Sequence, residues 1–242
     1  MTSTGRQYDF ALNQRPRASL LHVGTEREPV LIIDDLMRRA DALVDYAADE
    51  VAFEDAGGPQ GGYPGLRAPA PLPYVNAVVR GLDPLVREAF ALGEVKLARA
   101  ECRLSMVTSP PGALKPTQRV PHVDTFDPLQ FAFLHYLCDP RFGGTAFYRQ
   151  RATGFEAITP ERGTAYAEAR DRVITGAEAD YIRADTADYE RIGAVEARFD
   201  RLIVYRSRLL HSGLIPPAID LPGDPRRGRL TANIFVGYAP RS

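Results

Sequence analysis

Apolar positions fall into two regimes along this chain, divided near residue 94. In the first regime, residues 30–33 form a short apolar run ending in Asp34 and Asp35, the pattern of a buried strand. Leu36, Ala40, Leu43, Val44 and Ala47 then recur at helical spacing, which predicts a helix capped by Asp34 or Asp35 and running to about Glu50. The stretch 57–73 is dense in Gly and Pro and predicts an ordered loop, since such density suits neither helix nor sheet. A second helix is expected over 74–91, with Gly81 and Pro84 as candidate breaks. The first 28 or so residues are polar and irregular, the pattern of an arm or a loosely packed strand.

Strand signals dominate the second regime. Residues 95–107 alternate apolar and polar side chains over the length of a long strand. The apolar run 131–137 fits an internal strand, 144–149 a strand leaving a glycine turn, and 199–206 and 230–238 complete the set. Between them, the polar and Ala-rich stretch 161–192 predicts helical inserts. Short strands separated by Gly and Pro turns predict a mainly β, α+β fold of the sandwich or jelly-roll kind, with the earlier helices packed outside it. The 242 residues suit a single domain, 1–242: a support region of about 1–93, then a core of about 94–242 carrying an insert over 153–192.

Composition narrows the function classes. With 45% hydrophobic residues the chain can bury a substantial core. Its formal net charge of -1 argues against nucleic acid as a partner, yet leaves room for a local basic pocket. The N-terminus lacks the apolar core of a signal peptide and no apolar run approaches a membrane span, so a cytoplasmic protein with no membrane partner is expected. Cys102 and Cys138 lie in strand-like runs and read as buried thiols.

One short segment carries chemistry. His122 and Asp124 stand two residues apart, and on extended backbone positions i and i+2 face the same side, so imidazole and carboxylate converge. Two ligands hold a metal poorly; the third donor is His211, which follows the strand at 199–206. Two histidines and one carboxylate make the facial set that leaves positions open on Fe(II), whereas a structural zinc site closes with a fourth protein ligand, for which the chain offers no candidate. Downstream, Arg229 offers a planar fork for a carboxylate, and Thr231 points the same way with a hydroxyl to donate. A dicarboxylate can thus chelate the metal at one end and be clamped at the other. Arg119, Arg149 and Arg206 are further candidates for an anionic group, and Tyr63, Tyr148 and Tyr166 for pocket walls.

The order His-x-Asp at 122–124, Gly-Gly-Thr at 143–145, His-Ser-Gly at 211–213 and Arg-x-Thr at 229–231 resembles the 2-oxoglutarate- and Fe(II)-dependent dioxygenases, particularly the branch near the prolyl 4-hydroxylases. The resemblance spans about 94–238. It implies a cupin-like double-stranded β-helix with supporting N-terminal helices and the metal inside one mouth. It implies His122, Asp124 and His211 as ligands of Fe(II), Arg229 and Thr231 as the 2-oxoglutarate carboxylate site, and O2 as oxidant. Near relatives place a cosubstrate-contacting Tyr on the strand before His-x-Asp; here that stretch reads Ser-Met-Val-Thr at 105–108. Tyr136 on the next strand is the candidate instead, with a plain core role as its alternative. The implied reaction is hydroxylation of an amino-acid, peptidyl or other small-molecule C–H bond with release of succinate and CO2. Asp124 supplies the carboxylate that family halogenases lack, which favours hydroxylation over halogenation. Two other readings use the same features: a catalytically silent β-helix that binds a partner, and a cupin-type metal-dependent hydrolase or isomerase. A homodimer is left open.

Overall fold

The computed structural model describes residues 7–58 and 61–241. Part of the expected N-terminal arm is a strand: β1 (Arg17–Val23) pairs antiparallel with β2 (Glu28–Asp34), and its polar character reflects its place at a sheet edge. The following helix, α1 (Asp41–Asp49), starts later than Asp34 or Asp35. Asp35 has φ 55°, and the Leu36 amide donates to the Asp200 carbonyl at 3.2 Å, so this link is a tether to the sheet rather than a first helical turn. Residues 57–73 depart from the expected loop. β3 (Glu54–Gly58) and β4 (Gly61–Pro69) form a hairpin, and β4 extends the sheet by pairing with the long strand β5 (Val95–Val107) over 65–69. A Cβ at Gly65 would stand 2.1 Å from the Met106 carbonyl oxygen, so glycine is what lets the two backbones approach. The helix α2 (Leu72–Ala89) runs unbroken through Gly81 and Pro84, because Tyr74, Val78, Leu82 and Val86 keep its apolar stripe buried on the sheet.

The remaining strands are β6 (Gln130–Tyr136), β7 (Thr145–Gln150), β8 (Tyr189–Val195), β9 (Arg201–Arg206), β10 (His211–Gly213) and β11 (Arg229–Pro240). Only α3 (Gly163–Val173) and a single helical turn before it are helical in the expected insert, and 189–192 belongs to β8. The last expected strand but one begins at Arg201 rather than 199, since Asp200 takes φ 62° and turns the chain into it.

Eight strands form one antiparallel sheet in the order β1-β2-β9-β6-β11-β5-β4-β3, and three form a second in the order β10-β7-β8. From β5 onward the chain passes between the sheets repeatedly. One face of the large sheet takes α1 and α2 over a core that includes Phe131, Phe133, Leu202, Val204, Leu230 and Ile234. Its other face meets the small sheet through Ala132, Tyr136, Phe147, Ile203 and Tyr205. β6 is therefore apolar on both faces, as its uninterrupted run requires. Register sets one row of side chains across the inner face: Arg67, Ser105, Thr231, Tyr136 and Arg201 stand opposite one another on β4, β5, β11, β6 and β9. Among the described residues no helix is long and apolar enough to cross a membrane. Cys102 and Cys138 are free thiols.

Candidate metal centre

Between the sheets lies a cavity of about 460 Å³. The segment holding His122 and Asp124 is extended but pairs at only two points. His122 and His211 exchange backbone hydrogen bonds of 3.0 and 2.9 Å, and the Asp124 amide donates to the Ser207 carbonyl at 2.9 Å. These bonds bring the three expected ligands together. His122 Nε2 and His211 Nε2 each lie 3.9 Å from an Asp124 carboxylate oxygen, and one ligand atom from each of the three residues lies within 4.8 Å of the others. No fourth His, Cys, Asp or Glu joins them among the described residues. The His211 Nδ1–H donates to the Leu209 carbonyl at 2.8 Å, which turns Nε2 and its lone pair toward the cluster. Tyr205 meets the same ring edge-on with centroids 4.8 Å apart and fixes its plane.

The ionisation states suit a cation. Burial pushes the His211 imidazole down to about 4, with the Leu209 carbonyl opposing it. Burial, then the adjacent His211, lowers His122 as well, although half of its side chain faces the cavity mouth and desolvation acts less fully there. Both rings are neutral near pH 7, with a nitrogen lone pair free. Burial raises Asp124, against the influence of His122 and the Ser207 hydroxyl beside it. Among the described residues this carboxylate forms no ion pair with an arginine or lysine, although Arg67 lies within electrostatic reach and favours its charged form.

Deeper in the cavity, Arg229 is 4% exposed as a residue. Its Nε and Nη2 donate to the Phe142 and Gly144 carbonyls, each at 3.1 Å, leaving Nη1 without a hydrogen bond and the charge without an acid partner among the described residues. The Gly143-Gly144 turn makes this possible: Gly143 has φ 75°, and its neighbours' carbonyls face the guanidinium. Thr231 is fully buried two residues on, its hydroxyl only 3.4 Å from the Ser105 carbonyl. The Tyr63 hydroxyl is buried without a hydrogen-bond partner and lies within electrostatic reach of Arg229. The Arg229 charge thus faces one end of the cavity without an acid, beside the Tyr63 hydroxyl and a Thr231 hydroxyl held only by a long bond to the Ser105 carbonyl.

Tyr136 stands beside Thr231 in register, but its hydroxyl pairs with Thr145 Oγ1 at 2.6 Å within the inter-sheet core. It orients Thr145, which lines the cavity. Tyr63 on β4 lines the same cavity. The three arginines that could have met an anion, with a merely solvated role as the alternative, are engaged within the protein: Arg149 pairs with Glu156 and Glu190, Arg206 with Glu28, and Arg119 donates to the Leu114 carbonyl. Tyr148 and Tyr166 belong to the core beneath α3. Tyr63 lines the cavity as one of the three candidate tyrosines, whereas Arg67 is not among the candidate residues; the signal for it is that Tyr63, Gly65 and Arg67 share strand parity, although the surrounding glycines and prolines hide it.

Fold and site together define a mainly β protein with antiparallel sheets, few helices and a candidate two-histidine, one-carboxylate centre. The chain belongs to the family described as a family of unknown function (DUF6445), whose model matches residues 14–236. No curated protein sequence matches it. Among solved structures it is similar to HygX from Streptomyces hygroscopicus with nickel, 2-oxoglutarate and hygromycin B bound, at 14% identity, covering 87% of this chain and 82% of that one, TM-score 0.46. It is also similar to the non-haem α-ketoglutarate-dependent epimerase SnoN from nogalamycin biosynthesis, at 14% identity, 90% and 80% coverage and TM-score 0.49. An N-substituted L-amino acid dioxygenase from Burkholderia ambifaria gives 13% identity, 94% and 95% coverage and TM-score 0.39. At such distances the functional reading rests on the residues of the site itself.

Proposed function

We propose that this protein is a non-haem Fe(II)- and 2-oxoglutarate-dependent oxygenase that hydroxylates a C–H bond of a small-molecule or peptidyl substrate, built as one double-stranded β-helix domain. The observation that carries the reading is the pairing of two sites in one cavity: the convergent His122, Asp124 and His211, and the buried, acid-free Arg229 beside Thr231. A lone metal site would need only the first. The passage of the chain between sheets, from β5 to the 122–124 segment, β6, β7, β8, β9, β10 and β11, supports the double-stranded β-helix winding.

The donor set fits the metal: two neutral imidazole nitrogens and one carboxylate on one side leave the opposite side open. When bound, the iron supplies activation of O2 coupled to decarboxylation of the cosubstrate. The chain's own residues bind and orient. Arg229 supplies a charged donor for the distal carboxylate of 2-oxoglutarate, and Thr231 and Tyr63 supply hydroxyl donors beside it. Val107, Ile215 and Phe235 line the same space and limit its water. No side chain is assigned as a general acid or base.

Protein loaded anaerobically with Fe(II) and 2-oxoglutarate should develop a weak visible charge-transfer band, and its absence in the wild type would sink the oxygenase reading. His211→Ala should lose bound metal on desalting. Arg229→Gln should keep the metal but bind 2-oxoglutarate about ten- to a hundredfold more weakly, the worth of a charge-assisted hydrogen bond. Equal cosubstrate affinity in Arg229→Gln and the wild type would place the clamp elsewhere.

A further inference from the structure

Arg67 is the charge in the cavity for which the proposed cosubstrate provides no partner. It projects from β4 on the inner face, lines the cavity and lies within electrostatic reach of Asp124 and His122. Its guanidinium carbon sits over the Tyr63 ring, 4.6 Å from the centroid. Its Nε is buried with no hydrogen bond, and it forms no ion pair among the described residues. Arg149, Arg183, Arg201 and Arg206 show the usual solution on this protein, each meeting a carboxylate. Burial acts against the charge of Arg67; Tyr63 and Asp124 offset part of that cost without forming a hydrogen-bonded pair with it, and Arg103 on the neighbouring strand adds to it. A partly buried cation kept unpaired at the mouth of a site is costly for the fold alone.

The formal charges show what is missing. With both histidines neutral, a ferrous ion and Arg229 are balanced by Asp124 and the two carboxylates of 2-oxoglutarate. Among the described residues Asp124 is the only acidic one lining the cavity, so Arg67 is left over. Apart from Thr117, Gln118, Asn233 and the groups already assigned, much of the wall is apolar or aromatic, including Leu134, Tyr181, Tyr205 and Phe235.

We propose that Arg67 binds a carboxylate of the substrate, so that this enzyme acts on carboxylic acids with a largely apolar body. A flat guanidinium held against a tyrosine ring offers parallel N–H donors that match a planar carboxylate better than a tetrahedral anion. The inference rests on the oxygenase reading above and adds the substrate class and the residue that selects it.

The test uses full-length protein loaded with Ni(II) and saturated with 2-oxoglutarate, so that binding is measured without turnover. Calorimetric titrations compare a panel of N-acetyl amino acids with the corresponding N-acetyl amino acid amides, and include N-acetylphosphoserine amide as a phosphate-only probe. The wild type should bind at least one acid tenfold or more tightly than its amide. Arg67→Gln should remove that preference while binding 2-oxoglutarate within about twofold of the wild type, and Arg67→Lys should restore part of it. The proposal is overturned if no acid–amide pair shows a preference, if only the phosphate probe binds, or if Arg67→Gln weakens 2-oxoglutarate as strongly as Arg229→Gln does. Failure of the wild type to bind 2-oxoglutarate at all is a separate result, which strikes the oxygenase reading first.

Discussion

His135 and His211 are both buried, yet their surroundings give them opposite uses. His135 has both ring nitrogens engaged, Nδ1 with the Tyr74 hydroxyl at 3.0 Å and Nε2 with Asp200 at 3.1 Å, so it ties α2 to the sheet. His211 has one nitrogen engaged by a carbonyl and the other free toward the cavity. Residue type alone does not separate them; the number of partners does. The same logic applies to carboxylates away from the site. The Arg201 guanidinium holds the Asp34 carboxyl below its ordinary value of 3.8, with Arg198 and Arg17 adding to the effect. A carboxyl lowered on folding contributes stability that is full above the unfolded pKa and is lost as pH falls through the folded one. Urea unfolding should therefore show Asp34→Asn less stable than the wild type at pH 7, with the gap closing as pH drops below about 3.8. A gap that stays constant down to pH 2.5 would mean that the ion pair contributes nothing through its charge.

Elements whose two faces differ were the ones readable along the chain. β5 and β11 alternate because one face meets the helices and the other the cavity, and His122 with Asp124 gains its meaning from the same alternation. β4 and β8 were hidden. β4 contains Gly61, Gly62, Pro64 and Gly65, and it forms a strand only because β5 offers it a free edge. β8 is polar and half-exposed, and pairing with β7 decides its state. The Gly143-Gly144 turn illustrates how an element's end builds a site. A Cβ at Gly143 would lie 1.6 Å from the Leu214 carbonyl, and the residue already has φ 75°. Gly143→Ala should cost roughly 2 kcal/mol or more in stability, because neither the conformation nor the space admits a side chain. It should also weaken 2-oxoglutarate binding, since the Phe142 and Gly144 carbonyls that aim Arg229 must move. Chemical unfolding and calorimetry check the two effects separately; a stable variant with normal binding would refute this account of the turn.

At the scale of the whole molecule, the layering predicts where the fold is most and least stable. β6 and β11 are paired on both sides and covered on both faces, whereas β1 and β3 are the two outer strands of the large sheet. Hydrogen exchange should be slowest in 131–136 and 230–236 and fastest in the β3–β4 hairpin and the outer side of β1. Adding metal and 2-oxoglutarate should slow exchange further around 211–213 and 63–67, and unchanged exchange there would separate the hairpin from the site. The sequence by itself determined much of the β core, the helices that support it, and the pairing of His122 with Asp124 and of Arg229 with Thr231 on one side of the chain, because short-range alternation and strand parity fix which near neighbours point together. The order of motifs named His211 as their partner. Only the tertiary structure decided that Arg67 joins them, that of the three candidate tyrosines Tyr63 lines the cavity, that Tyr136 turns to Thr145, and that Arg119, Arg149 and Arg206 are already engaged. Those outcomes depend on which strand takes a free sheet edge and which carboxylate or carbonyl comes within reach, and both are set by contacts between residues far apart in the chain.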